Sequence, residues 1–162
     1  MYNYIIIALL SIIILYKIKW YVVNYFKYKV SIPFKSTLDL TGMPIITFKN
    51  GNTKLNFALD TGSTSSQINS SVLPLIEYKE CNRVMNTIGI EGNEFTIKSC
   101  TIKLKYNNIE FVDDFFIYNS DKAFDYLKKD SSIQLHGLIG SSFLRKYGYI
   151  LDYGTLTAVI KR

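Results

Sequence analysis

Leu55-Asn56-Phe57-Ala58-Leu59-Asp60-Thr61-Gly62-Ser63-Thr64 sets an apolar run against an acidic residue and a Thr-Gly-Ser turn. The run reads as a buried strand, and the residues after Asp60 read as a tight loop. A carboxylate delivered at the end of a strand and ringed by loop donors is suited to chemistry.

The surrounding chain alternates short apolar runs with turn signals. Met43 to Phe48 reads as a strand, Asn50-Gly51-Asn52 as a hairpin turn, and Lys54 to Leu59 as the returning strand that delivers Asp60. Ser70 to Ile76 reads as a short helix or an irregular turn. Within 85–95, Ile88-Gly89-Ile90-Glu91-Gly92-Asn93 reads as a glycine-rich hairpin tip. Phe95 to Tyr106 and Ile109 to Tyr118 form a further strand pair joined at Asn107-Asn108. Asp121 to Ser132 has Ala123, Phe124, Tyr126 and Leu127 at near-helical spacing and reads as a surface helix. Leu135 to Gly140 is another apolar run. Ser141 to Tyr147 reads as a short helix capped by serine. Tyr149 to Tyr153 and Leu156 to Ile160 form a last hairpin around Gly154. Many short strands with one or two short helices predict an all-β, closed-barrel domain.

At 162 residues, 48% of them apolar, the chain suits one folded domain with an appendage. Its net charge of +6 is unevenly spread. Lys17, Lys19, Lys27, Lys29 and Lys35 all precede the first acidic residue, Asp39, so the first 35 residues carry +5. The remaining 14 basic and 13 acidic residues leave the domain near neutrality, which argues against nucleic acid as a partner. Cys81 and Cys100 fit no zinc spacing, and His136 is the lone histidine, so neither metal nor cofactor is expected. The cysteines read as small buried hydrophobes kept reduced, or as a bridge if the domain lies outside the cytosol.

Residues 4–16 carry no charge. They fall short of the roughly 20 residues of an upright span, but Lys17 and Lys19 can snorkel, and Trp20-Tyr21-Val22-Val23 extends the apolar length to the interface. Residues 1–26 are therefore expected to be a transmembrane anchor helix, 27–36 a basic linker and 37–162 the domain. A signal peptide and a wholly buried helix are the rival readings. The lysines after the span favour a single-pass protein with its domain on the cytoplasmic side, the alternative being the periplasmic or extracellular side.

Three segments, taken in order, resemble the retropepsin-like (retroviral-type) aspartic proteases: Asp60-Thr61-Gly62-Ser63, the hairpin Ile88-Gly89-Ile90-Glu91-Gly92, and Leu138-Ile139-Gly140 followed by Ser141-Ser142-Phe143-Leu144. Tyr149 to Tyr153 resembles the bacterial members, and the likeness runs from about Asp39 to Arg162. The resemblance implies an aspartic endopeptidase in which Asp60 is catalytic. Two carboxylates about 3 Å apart share one proton, one drawing a proton from water and the other polarising the scissile carbonyl. One Asp-Thr-Gly per chain makes a homodimer a chemical requirement of that mechanism. The resemblance further implies that Gly62 aims its N–H at the carboxylate. Thr61 would bond across the dimer axis, and Ser63 would donate to an outer carboxylate oxygen and shift the activity profile toward acid. Ile88, Gly89, Ile90 and Gly92 would form a flap over an extended peptide. Leu138, Ile139 and Gly140 would run beneath the catalytic loop. Asp152, with no Thr-Gly after it, is expected to be structural.

The pattern departs from the viral members in two places. Their termini interleave between subunits, whereas here the N-terminal side leads to an anchor. The 121–132 segment is an insertion readable as a lid, a docking surface or plain extra chain. A sugar-kinase or actin-like ATPase also uses Asp-x-Gly after a strand but needs two lobes, which this chain is too short to supply. A catalytically silent, membrane-tethered dimerisation or peptide-binding module with the same fold is the remaining alternative.

Overall fold

The first hairpin forms where the turn signal predicts it. In the computed structural model, which describes residues 10–21, 29–88 and 94–161, strands β2 (Ile45–Asn50) and β3 (Thr53–Asp60) pair antiparallel around Gly51-Asn52. The following elements are β4 (Gln67–Asn69), a 3-10 turn over Ser70–Leu75, β5 (Tyr78–Ile88), β6 (Glu94–Tyr106) and β7 (Ile109–Tyr118). Asn107 takes the left-handed backbone (φ 51°) that the tight β6–β7 turn requires. Then come helix α2 (Asp121–Ser131), β8 (Gly137–Gly140), helix α3 (Ser141–Lys146), β9 (Tyr149–Asp152) and β10 (Thr157–Lys161).

Strands β2-β3-β8-β4-β7-β6 lie side by side, and the pairing of Lys49 in β2 with Lys105 in β6 closes them into a six-strand barrel. The β3–β8 and β4–β7 pairs are parallel. Strand β5 extends outward as the second arm of the long β5–β6 hairpin. The barrel interior is aromatic: Phe48, Phe57, Phe111, Phe115 and Phe143 are essentially inaccessible, with ring centroids 5.6 to 6.4 Å apart. Burying each such ring stabilises the fold by about 1.5–3 kcal/mol. Buried Asn50 closes the barrel end without an orphaned group. Its Nδ2 donates to the carbonyls of Glu77 (2.8 Å) and Lys103 (2.9 Å), and its Oδ1 accepts the Glu77 N–H (2.7 Å).

The structure corrects the sequence reading of 27–36 as a linker. Within it, β1 (Lys29–Pro33) pairs antiparallel with β10, and Ser31 lies opposite Val159. Ile32 and Phe34 are 2% and 1% exposed. Helix α1 (Lys35–Thr41) follows directly. Ser31, Pro33 and Lys35 face solvent while Ile32 and Phe34 enter the core, so the basic composition masks a period-two strand. Strand β10 is the middle of a three-stranded sheet ordered β1-β10-β9. Residues 10–21 are helical and exposed, and among the described residues no helix is long and apolar enough to cross a membrane. The other residues of the expected anchor, 1–9 and 22–26, lie outside the described residues.

Candidate active site

Strand alternation sorts β3 into two faces. Leu55, Phe57 and Leu59 enter the barrel core, so Ala58 and Asp60 point to the other side. The parallel partner β8 does the same: Ile139 is buried in the barrel, while Leu138 and Gly140 lie opposite Ala58 and Asp60. The end of β3 thus carries Asp60 out of the barrel wall, half-buried, at the start of an exposed turn through Thr61 and Gly62.

The loop after Asp60 is held by backbone bonds. The Gly62 N–H donates to Asp60 Oδ1 at 2.9 Å, the contact that the resemblance implied. The Ser141 and Ser142 N–H groups donate to the carbonyls of Ser63 (2.8 Å) and Thr64 (3.0 Å). The buried Ser66 Oγ accepts the Gly140 N–H at 3.1 Å. Gly140, the last residue of β8, thus lies directly against this loop, at the Ser65 backbone and the Ser66 hydroxyl. The serine cap expected for α3 is absent: Gly140 occupies the cap position, and the first N–H groups of the helix are taken by the loop carbonyls instead.

Two further side chains behave differently from expectation or were not foreseen. The Ser63 hydroxyl donates to the Ser65 carbonyl at 2.8 Å, so it braces the loop rather than reaching Asp60. With its single proton committed, Ser63→Ala is expected to leave the pH–activity profile in place and to cost about 1 kcal/mol in chemical denaturation. A shift in the profile would restore the role first assigned to Ser63. His136, just before β8, was left without a role by the sequence. Its Nδ1 accepts the Asn56 backbone N–H at 2.9 Å, and its backbone N–H donates to the Asn56 carbonyl, also at 2.9 Å. Burial pushes the imidazole pKa below its ordinary 6.5. The folded state then binds its proton less readily than the unfolded chain. Stability is complete above 6.5 and is lost as pH falls from there through the lower folded value. His136→Asn keeps an acceptor near Nδ1 and removes the titration. Its denaturation midpoint is expected to fall less than that of the wild type on acidification over this window.

Of the hairpin expected as a flap, the structure describes the two paired strands β5 and β6. Ile88 and Glu94 are the last paired residues of β5 and β6, while Gly89, Ile90 and Gly92 lie outside the described residues. Asp152 is a turn residue: its Oδ1 accepts the N–H groups of Gly154 (2.9 Å) and Thr155 (3.1 Å), in keeping with a structural role. Burial, with Asp114 and Cys81 close by, pushes the Cys100 thiol up to about 11, which leaves it protonated and a poor nucleophile. Among the described residues, no three His, Cys, Asp or Glu side chains converge as metal ligands.

No protein-family model matches the chain, nor does any curated protein. Among solved structures, the fold is similar to a retropepsin-like aspartic protease from Rickettsia conorii, with a TM-score of 0.50 and 15% identity over 82% of this chain and 89% of that one. A weaker likeness is to the retroviral protease-like domain of Ddi1 from Leishmania major, with a TM-score of 0.48 and 11% identity over 73% of this chain and 87% of that one. EIAV protease in complex with the inhibitor HBY-793 follows, with a TM-score of 0.42 and 18% identity over 65% and 88%. The barrel has the retropepsin-like fold.

Proposed function

We propose that the protein is an aspartic endopeptidase acting as a homodimer, with Asp60 of each copy forming the catalytic pair. The observation that carries this reading is Asp60 itself: an outward-facing carboxylate at a strand end, its Oδ1 fixed by the Gly62 N–H at 2.9 Å. Its loop is anchored to β8 and α3 by three further bonds. Such bracing sets a carboxylate in one orientation, as a reaction at a peptide carbonyl requires.

In the dimer the ionised carboxylate takes a proton from a water held between the two. The water oxygen bonds to the scissile carbonyl carbon as the protonated carboxyl gives its proton to the carbonyl oxygen. The tetrahedral diol then collapses, the C–N bond breaks, the nitrogen leaves with a proton, and a carboxylic acid and an amine are released. The β5–β6 hairpin supplies the arms of a cover that would exclude water from the bound peptide.

A dimer on this fold must find a free sheet edge. Strand β10 is flanked on both sides by strands of its own chain, so simple interleaving of termini would require β1 to leave. The outer edge of β9 is the better candidate, with Ile150 and Tyr153 exposed beside it. The apolar N-terminal segment would hold the chain at a membrane as a single-pass anchor, with the domain on the cytoplasmic side. Confinement to a plane would raise the effective concentration of copies and offset a weak interface.

The test uses the full-length chain in detergent micelles with a peptide library between pH 4 and 7. Expected are cleavage, specific activity that rises with protein concentration, and inhibition by a statine-type transition-state analogue that binds only a competent pair. Peptide binding without cleavage by a dimeric sample would instead assign the silent-module reading.

A further inference from the structure

We propose that a row of three lysines across the barrel seam, Lys54, Lys49 and Lys105, is a docking site for the phosphate headgroups of acidic membrane lipids. The row lies at the other end of β3 from Asp60 and does not depend on the endopeptidase reading.

Register and alternation build the row. Lys49 in β2 is paired with Lys54 in β3 on one side and with Lys105 in β6 on the other. Phe48, Leu55 and Leu104 enter the barrel core, so all three lysines face outward, and all three are exposed. Neighbouring strands lie about 4.8 Å apart, which sets the three lysine stems within about 10 Å of one another. Like charges directly opposite one another destabilise a sheet. The usual remedy is an interleaved carboxylate, yet among the described residues none of the three lysines has an ion-pair partner. Glu110, next in the row beyond Lys105, is drawn to Lys103 at 3.4 Å instead. Glu77 stands beside the Gly51 turn, but its one charge against three leaves the row with an excess of two.

The same three lysines line a surface cavity of about 430 Å³ together with Thr47, Tyr106 and Asn107. A concave site rimmed by ammonium groups suits a compact anion such as a phosphate, for which lysine is a point-charge partner. A phosphate held there supplies the missing negative charge and relieves the repulsion along the row. The helix over residues 10–21 points to lipid as the source. Its Ile12, Ile13, Ile14, Leu15, Ile18 and Trp20 are all more than half exposed, an apolar surface that fits a bilayer. One chain thus asks for hydrocarbon around the helix and for acidic headgroups at the row. The domain as a whole is near neutrality, which fits a local contact with a charged leaflet better than the extended basic track that a nucleic acid needs. Lys54 and Asp60 share one face of β3, six residues apart. Docking therefore holds Asp60 no more than about 20 Å from the headgroups, within reach of peptide segments next to the membrane.

The experiment places the full-length chain in nanodiscs of neutral phosphatidylcholine, or of phosphatidylcholine with about a third phosphatidylglycerol. A chain that does not insert is mixed with vesicles of the same two compositions, so that failure of the anchor and failure of the row are told apart. The acetylation rate of each lysine is followed by mass spectrometry. Acidic lipid is expected to slow Lys49, Lys54 and Lys105 about fivefold or more at low salt, and the protection to vanish near about 1 M salt. Lys128 and Lys129, exposed on α2, are expected to react alike on both lipids. Lys49→Gln removes the middle of the row without touching the core and is expected to weaken the protection of Lys54 and Lys105. Equal rates on the two lipids overturn the inference, as does a uniform slowing that includes Lys128 and Lys129. Protection by inorganic pyrophosphate or by an oligonucleotide, with none by acidic lipid, would give the site to a soluble phosphate or to nucleic acid and overturn lipid docking.

Discussion

Asp60→Asn is expected to abolish peptide cleavage, lowering kcat/KM at least about a thousandfold, while leaving the fold unchanged. The loss is large because the pair works as a unit: with both carboxylates replaced by amides, neither a base for water nor an acid for the carbonyl remains. The fold is spared because the local role of the carboxylate is one bond, from the Gly62 N–H to Oδ1, which an amide oxygen can accept equally well. The residue is half-buried and outside both apolar clusters. The checking measurement pairs steady-state cleavage with thermal denaturation of the same preparations. A mixed dimer of one wild-type copy and one Asp60→Asn copy should be as inactive as the dimer with both copies substituted, because one acid cannot serve as donor and acceptor at once. Persistent cleavage by the purified homodimeric variant would mean that another group does the chemistry.

How much of this was legible beforehand depends on where the determining information sits. The turn at Asp60-Thr61-Gly62 was readable from its position after an apolar run, whereas the place of Leu138-Ile139-Gly140 came from the family resemblance, since the run alone reads as an ordinary buried strand. The strands of the barrel were readable from their period and their turns. Strand β1 was hidden although Val30, Ile32 and Phe34 alternate correctly, since flanking lysines dominate so short a stretch. Helix α1 fully buries none of its residues, and of its two leucines Leu38 packs against the core while Leu40 is exposed, so about two turns of chain offer too little apolar pattern to read. Strand β4 is three residues long, too short for periodicity to register, yet it carries Asn69 and follows Ser66. The partners of Ser63 and His136 were beyond reach for a different reason. A hydroxyl or an imidazole finds its partner through the path of distant backbone, and residue type does not encode that path. The insertion was visible as an insertion, but its place against Ala58 and Leu138 depends on packing against β3 and β8.

Gly140→Ala is expected to injure stability and activity together, which separates it from Asp60→Asn. A Cβ at Gly140 would lie 2.5 Å from the Ser65 carbonyl carbon, 2.6 Å from its oxygen and 2.9 Å from its nitrogen. All three are backbone atoms, so no side-chain rotation can relieve the clash. Either β8 withdraws from β3, opening the Asp60–Gly140 pairing, or the loop through Ser65 lifts. Lifting the loop stretches the bonds from Ser141 N–H to the Ser63 carbonyl and from Gly140 N–H to Ser66 Oγ. The cost is expected to be about 2–4 kcal/mol, read as a lower midpoint in chemical denaturation. The loop that yields is the one that orients Asp60, so molecules that remain folded should also cleave more slowly, by about a hundredfold for a misplacement near 1 Å. Asp60→Asn removes the chemistry and keeps the scaffold, whereas Gly140→Ala keeps the carboxylate and loosens what aims it. If Gly140→Ala lost stability but kept full kcat/KM in its folded fraction, the loop's contact with β8 would be structural only, and the orientation of Asp60 would have to come from the partner copy.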